Sequence, residues 1–565
     1  MINSIYRKSI LLSLLCLFLV ACGVPQDNQP ARPEEETRTT SPTTTTEQQQ
    51  QLAKAKKPAM YEQDAANASI SGAVMAPRFN MNDSALRLPS EPVDRENYAH
   101  FNDNPLVRVA EQPVSTFSID VDTGSYSNVR RILNMGQLPR HDAVRVEEMI
   151  NYFSYDYALP ENKSVPFNIT TEIAPTPWNK STYLLHIGLK GYEVPKQQLP
   201  ASNLVFLIDV SGSMRSDNKL GLLKKAMSML TQQLRPEDKV AIVVYAGASG
   251  VVLEPVNGNQ KAKILTALEQ LQAGGSTNGA AGIRLAYRLA EQSYIKNGIN
   301  RVILCTDGDF NVGTVNFETL KNLVEKKRKT GISLTTLGFG TGNYNDHLME
   351  QLADNGNGNY AYIDTLMEAR KVLVEEMSST MQTIARDVKI QIEFNPAVVS
   401  EYRLVGYENR ILAREDFNND KVDAGDIGAG HTVTALYELT LVGSKTQHLD
   451  PLRYGKAPVL QQANLSELAY LRLRYKLPDE NQSRLLQQVV QRKDIQKNLA
   501  VSTDHFRFAA SVAAFGQIMR GGKYTGEYRL DDVARLARES RGKDPHGYRS
   551  EFLSLVGLAN TLSGS

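Results

Sequence analysis

Cysteine is almost absent. The 565 residues contain three, Cys16, Cys22 and Cys305, which excludes a disulfide scaffold. Charge of neither sign is in excess, with Lys+Arg at 63 against Asp+Glu at 62. A nucleic-acid binder would need a basic surplus to neutralise phosphates, so that function is excluded. No apolar run reaches the ~18 residues that span a bilayer, which rules out a polytopic membrane protein. The eight histidines form no H-x-x-x-H or H-x-H pair, and no G-x-S-x-G elbow occurs. The common signatures of zinc and serine hydrolases are therefore missing, and no catalytic residue is assigned. Length alone allows about three or four domains at ~150 residues each.

What is present begins at the N-terminus. Arg7 and Lys8 form a basic n-region, and Ile10 to Ala21 is an apolar stretch of twelve residues broken only by Ser13. Such a stretch is too short to span a membrane and has the form of a secretory signal. It ends in Leu19-Val20-Ala21-Cys22, which resembles a bacterial lipobox. The resemblance implies cleavage before Cys22 and acylation of that cysteine; an ordinary signal peptide with an incidental cysteine is the alternative. Loss of residues 1–21 removes two cations and no acid, taking the net charge from +1 to −1. Gly23 stands where inner-membrane retention signals of enterobacterial lipoproteins place Asp. This implies an outer-membrane anchor with the body facing the periplasm, and the lipid as the only membrane contact.

Residues 22–97 read as a disordered tether. Thr39 to Gln51 runs TTSPTTTTEQQQQ, and its neighbours carry Pro, Glu and Asn with almost no aromatics. Such composition cannot bury enough surface to offset chain entropy. As a flexible coil its reach is roughly 50 Å. Residues 98–200 read as an α+β region with strands at Ser115–Val121, Phe167–Ile173 and Tyr183–Leu189 and a helix at Val144–Phe153. From 201 to 385 apolar strands alternate with amphipathic helices, the pattern of a doubly wound, mostly parallel α/β sheet. Residues 386–565 read as a β-sandwich-like element with a helical tail, helices being expected at Leu485–Gln491, Asp504–Met519, Leu530–Arg538 and Tyr548–Leu558.

Polar motifs fall at the strand ends of the central region, where a doubly wound sheet binds its ligands. Leu204–Ile208 (LVFLI) runs into Asp209-Val210-Ser211-Gly212-Ser213. Gly274-Gly275-Ser276-Thr277 precedes a helix, and Arg301–Thr306 ends in Asp307-Gly308-Asp309. Asp209, Ser211, Ser213, Thr277 and Asp307 form an all-oxygen set suited to a hard cation, Mg²⁺ or Mn²⁺. Other segments carry less. Asp120 to Ser125 (DVDTGS) faintly echoes D-x-S-x-S but reads as an Asp/Gly turn. Asp416-x-Asn418-x-Asp420 opens like a calcium loop, yet Lys421 and Ile427 replace its Gly and Glu. Gly425 to Thr432 lacks the lysine of a phosphate loop, so no nucleotide is expected. Cys305, on an apolar strand, reads as an inert buried thiol.

The three central motifs, in their order and spacing, resemble the von Willebrand factor type A (VWA) domain with its metal-ion-dependent adhesion site. The flanking segments, Val114 to Phe153 and Asn418 to Leu439 among them, are similar to those of the YfbK-type VWA lipoproteins of Gram-negative bacteria. The resemblance implies that Ser211, Ser213 and Thr277 bind the ion directly, with Asp209 and Asp307 acting mainly through water. It implies an adhesion or scaffolding module in which the ion captures an Asp or Glu of a protein partner, and no enzyme. A metal-assisted hydrolase on the same site is the alternative. It needs a general base, and only Asp309 adjoins the motif.

Overall fold

The computed structural model describes residues 96–276, 278–308, 317–342, 344–376, 381–454 and 464–564. The expected signal, Cys22 and residues 22–95 of the expected tether lie outside them, as do Thr277 and Asp309. Glu96 and Asn97, the end of that tether, are part of the body: Glu96 Oε2 accepts from Arg131 Nη2 at 2.7 Å.

The N-terminal flank supplies β1 (Val107–Arg108), β2 (Val114–Ser118), α1 (Gly124–Asn134), α2 (Val146–Asn151), β3 (Phe167–Pro175) and β4 (Tyr183–Gly191). The centre follows with β5 (Ser202–Asp209), α3 (Leu222–Gln233), β6 (Lys239–Tyr245), β7 (Ser249–Asn257), α4 (Lys261–Glu269) and α5 (Gly279–Gln292). It continues through β8 (Ile299–Thr306), α6 (Phe317–Arg328), β9 (Ser333–Phe339), α7 (Asp346–Asn355), β10 (Tyr360–Ile363) and α8 (Leu366–Arg370). The C-terminal flank holds β11 (Thr383–Phe394), β12 (Val399–Val405), β13 (Ile427–Gly428), β14 (Thr432–Leu441), β15 (Glu467–Lys476) and β16 (Arg484–Gln491). Three helices close it, α9 (Asp504–Met519), α10 (Leu530–Glu539) and α11 (Tyr548–Leu562).

The central sheet has the order β10-β9-β8-β5-β6-β7, parallel except for β7. This is the doubly wound α/β arrangement expected. All eight residues of β5 are buried, because helices cover both faces of the sheet, and a strand with no wet face is apolar throughout. The chain leaves β5 towards β6 on one side and returns to β8 on the other. The carboxyl ends of β5 and β8 thus face a crevice at the reversal of strand order.

The two flanks build one sandwich together. One sheet runs β1-β12-β14-β4-β3, and the other runs β13-β11-β15-β16 with β2 paired to β11. Each sheet mixes strands from before and after the central domain, and their inner faces share one core containing Phe117, Ile187, Ile390, Val433 and Leu471. Helices α9–α11 pack with α1 and α2 around Phe153, Phe508 and Phe552. Alternation within each strand is legible from sequence, but it does not name the pairing partner. One expected helix is corrected. Leu485–Gln491 lies within the edge strand β16, paired antiparallel to β15. Its Leu-Leu and Val-Val pairs mimic helical spacing, and the hairpin with β15 overrides that local signal.

Candidate metal centre

At the end of β5 the chain turns so that Asp209 Oδ1 accepts from the Ser211 backbone N–H at 2.8 Å. That turn presents Ser211 Oγ and Ser213 Oγ to each other at 3.0 Å. Ser211 is buried whereas Ser213 is exposed, so the pair opens to solvent. Gly212 N–H donates to Gly275 O at 3.0 Å and Gly274 N–H to Val210 O at 2.8 Å, which pins the second loop beside the first. From β8, Thr306 Oγ1 donates to Asp209 Oδ2 at 3.0 Å, and Tyr245 OH donates to the same oxygen at 3.1 Å. Asp307 follows, fully buried. Gly308 then takes φ +88°, where a Cβ would meet Asn345 N at 2.4 Å, so only glycine allows the β8 loop to pack on the start of α7.

The structure thus brings together Asp209, Ser211, Ser213 and Asp307 from two separated segments. Burial pushes the Asp209 carboxyl up to about 6, against the hydrogen bonds from Ser211 and Thr306, and the neighbouring Asp307 carboxylate adds to the rise. Two buried carboxylates beside two hydroxyls are a donor set that a hard divalent ion fits. A cation already rests there: Lys219 Nζ lies 2.8 Å from Asp307 Oδ2. Sequence reasoning missed Lys219, Tyr245 and Thr306: Lys219 lies 88 residues from Asp307, Tyr245 lies 36 from Asp209, and Thr306, though next to Asp307, acts on Asp209 97 residues away. Cys305 is buried and its thiol is pushed up by burial, in keeping with an inert role.

A second acidic group is present. Oxygens of buried Asp120, Glu148 and Glu350 lie within 4.8 Å of one another. Two arginines already fill the place of a cation. Arg410 reaches Asp120 Oδ2 at 2.9 Å and Glu350 Oε1 at 3.3 Å, while Arg145 bonds Glu148 and lies 3.5 Å from Glu350 Oε2. Asp120 also takes the turn expected of it, Oδ1 accepting from Asp122 N–H at 2.9 Å, and Asp122 Oδ1 accepts from Tyr360 N–H at 2.8 Å. This motif joins the flank to the central sheet. The Asp416–Asp420 loop likewise holds ammonium groups, Lys389 Nζ on Asn419 O at 2.7 Å and Lys476 Nζ on Asp420 O at 2.6 Å.

Comparison with known proteins follows the same division. A von Willebrand factor type A domain model matches residues 203–376, and a von Willebrand factor model matches residues 92–186. A model described as the C-terminal part of uncharacterized protein YfbK matches residues 379–562. The fold is therefore that of a VWA protein. Uncharacterized protein YfbK of Escherichia coli (strain K12) is 48% identical over 473 residues, which cover 82% of this chain and 81% of that one. The chain belongs to the YfbK family of VWA proteins. Human inter-alpha-trypsin inhibitor heavy chain H4 is 31% identical over 163 residues, 27% of this chain and 17% of its own length. Among solved structures, the von Willebrand factor type A from Catenulispora acidiphila is 16% identical, with a TM-score of 0.37, covering 69% of this chain and 89% of its own.

Proposed function

We propose that this protein is a membrane-anchored protein-binding module that uses a divalent cation to capture an acidic side chain of a partner. The observation that carries the reading is the pairing of buried Asp209 and Asp307 with the Ser211 and Ser213 hydroxyls at the open end of β5 and β8. Ser211, Ser213 and Thr277 hold Mg²⁺ or Mn²⁺ directly, and Asp209 and Asp307 act through water. Neutral hydroxyls next to the ion leave it electrophilic, so it accepts a carboxylate oxygen from outside. No step of catalysis is needed; Asp309, the group a hydrolase would require as base, lies outside the described residues.

Capture should follow the ion. Protein baited on a column should retain a partner from solubilised envelopes in Mg²⁺, release it in EDTA, and fail to retain it as Asp209→Ala. Retention indifferent to EDTA contradicts the mechanism. The anchor is tested separately. With Cys22 acylated in the outer membrane, Cys22→Ala should abolish incorporation of labelled palmitate and leave the precursor uncleaved. A normally processed, soluble Cys22→Ala product overturns the lipid anchor without touching the cation site.

A further inference from the structure

Lys219 sits between Asp217 and Gly221, where a wide helical turn leads into α3. Only 7% of its surface is exposed. Its stem lies across Gly340, whose φ is +77°; a Cβ there would meet Lys219 Cγ and Cε at 2.3 Å. A glycine in the loop after β9 thus leaves the passage through which the ammonium reaches Asp307 Oδ2 at 2.8 Å. Holding a lysine head group away from water is unfavourable unless a counter-charge meets it, and Asp307 supplies that charge. Asp209, Asp307 and Lys219 together carry one net negative charge. With Mg²⁺ added the centre carries one positive charge, whereas without Lys219 it would be neutral.

We propose that Lys219 sets the charge of the loaded centre, so that the ion alone is held weakly and the ion together with a partner carboxylate is held strongly. The inference rests on the cation reading above and deepens it. The ammonium repels the incoming divalent ion. It then attracts the anion that completes the ion's coordination, so ion and partner favour each other. That coupling is reciprocal: whatever factor a carboxylate adds to ion affinity, the ion adds to carboxylate affinity. Partners with a single exposed Asp or Glu are thereby selected, and a partner offering a cation or a neutral amide at that position is rejected.

The test is calorimetric titration of Mn²⁺ into the wild type, Lys219→Met, Lys219→Gln and Lys219→Arg, with and without acetate. Met follows the same path over Gly340 without charge, and Gln keeps a donor for Asp307, so either variant isolates the charge if the other does not fold. Removing the unit charge that sits 2.8 Å from Asp307 should tighten Mn²⁺ binding at least about 10-fold. Acetate should strengthen Mn²⁺ binding in the wild type and markedly less in Lys219→Met or Lys219→Gln. Lys219→Arg should restore the wild-type pattern. Equal or weaker Mn²⁺ affinity in the uncharged variants overturns the role of Lys219 and leaves the cation site standing. No Mn²⁺ binding by the wild type overturns the cation site itself, and this inference with it.

Discussion

Asp209→Ala is expected to abolish the stabilisation of the fold by Mg²⁺, about 2.7 kcal/mol when the ion is at about 100 times its Kd. The metal-free protein should change far less, because two effects oppose each other. The carboxyl is pushed from 3.8 up to about 6, so carrying its charge in the fold costs about 3 kcal/mol, and alanine removes that cost. Alanine also removes the Asp209 acceptor from the Ser211 N–H, Thr306 and Tyr245 hydrogen bonds, at about 1 kcal/mol each. The balance is near zero, which makes the ion response a clean reading. The pH dependence has a definite sign. A raised carboxyl binds its proton more tightly in the fold, so the metal-free stability this group confers falls as pH rises from about 4 to about 6. Mg²⁺ competes with that proton, so its stabilising effect should be full above about pH 6 and fade below it. Scanning calorimetry in Mg²⁺ and in EDTA measures both. Identical responses from the wild type and Asp209→Ala would remove Asp209 from the site.

The largest loss of stability is expected at Arg130→Met. This guanidinium is buried on α1 and joins three parts of the chain. Its Nε donates to Asp364 Oδ2 at 2.8 Å, its Nη2 bonds Asp364 Oδ1 and reaches Glu368 Oε2 at 2.8 Å, and its Nη1 reaches Glu551 Oε2 at 2.9 Å. The Tyr152 hydroxyl adds a contact at 3.0 Å. Methionine fills much of the volume but strands Asp364 and Glu368 in the interior. Breaking a buried ion pair from one side costs about 3–5 kcal/mol, through the charge left behind. Glu551 is 36% exposed on its side chain, so Glu551→Ala should cost less than about 1 kcal/mol. Urea unfolding of the two variants separates these magnitudes. A loss below about 1 kcal/mol at Arg130→Met would show that the carboxylates find other partners or water.

The central domain was readable because its signals are local. LVFLI ending in D-x-S-x-S places three candidate site residues, Asp209, Ser211 and Ser213, within five positions, and a parallel strand covered on both faces has to be apolar. The flanks were harder. β4 before the domain pairs with β14 after it, Leu436 opposite His186, and no periodicity in either strand carries that information. The helix expected at Leu485–Gln491 failed for the same reason, since its neighbour β15 decides its conformation. Lys219 lies 88 residues from Asp307 and the Asp120–Glu350 contact spans 230, so both were invisible in sequence and both depend on the fold to exist. Reading Asp120 to Ser125 as a turn agrees with its geometry, although its place in a joint between flank and sheet was not foreseen.

The central claim is that one divalent ion binds at the carboxyl ends of β5 and β8. Crystals of the body grown with Mn²⁺ and measured at an anomalous wavelength test this directly. The account predicts a single strong anomalous peak among Asp209, Ser211, Ser213 and Asp307, lost when Asp209 is replaced by alanine. A peak at Asp120, Glu148 and Glu350 instead, or no peak at the β5 and β8 ends while Mn²⁺ is in excess, would contradict it.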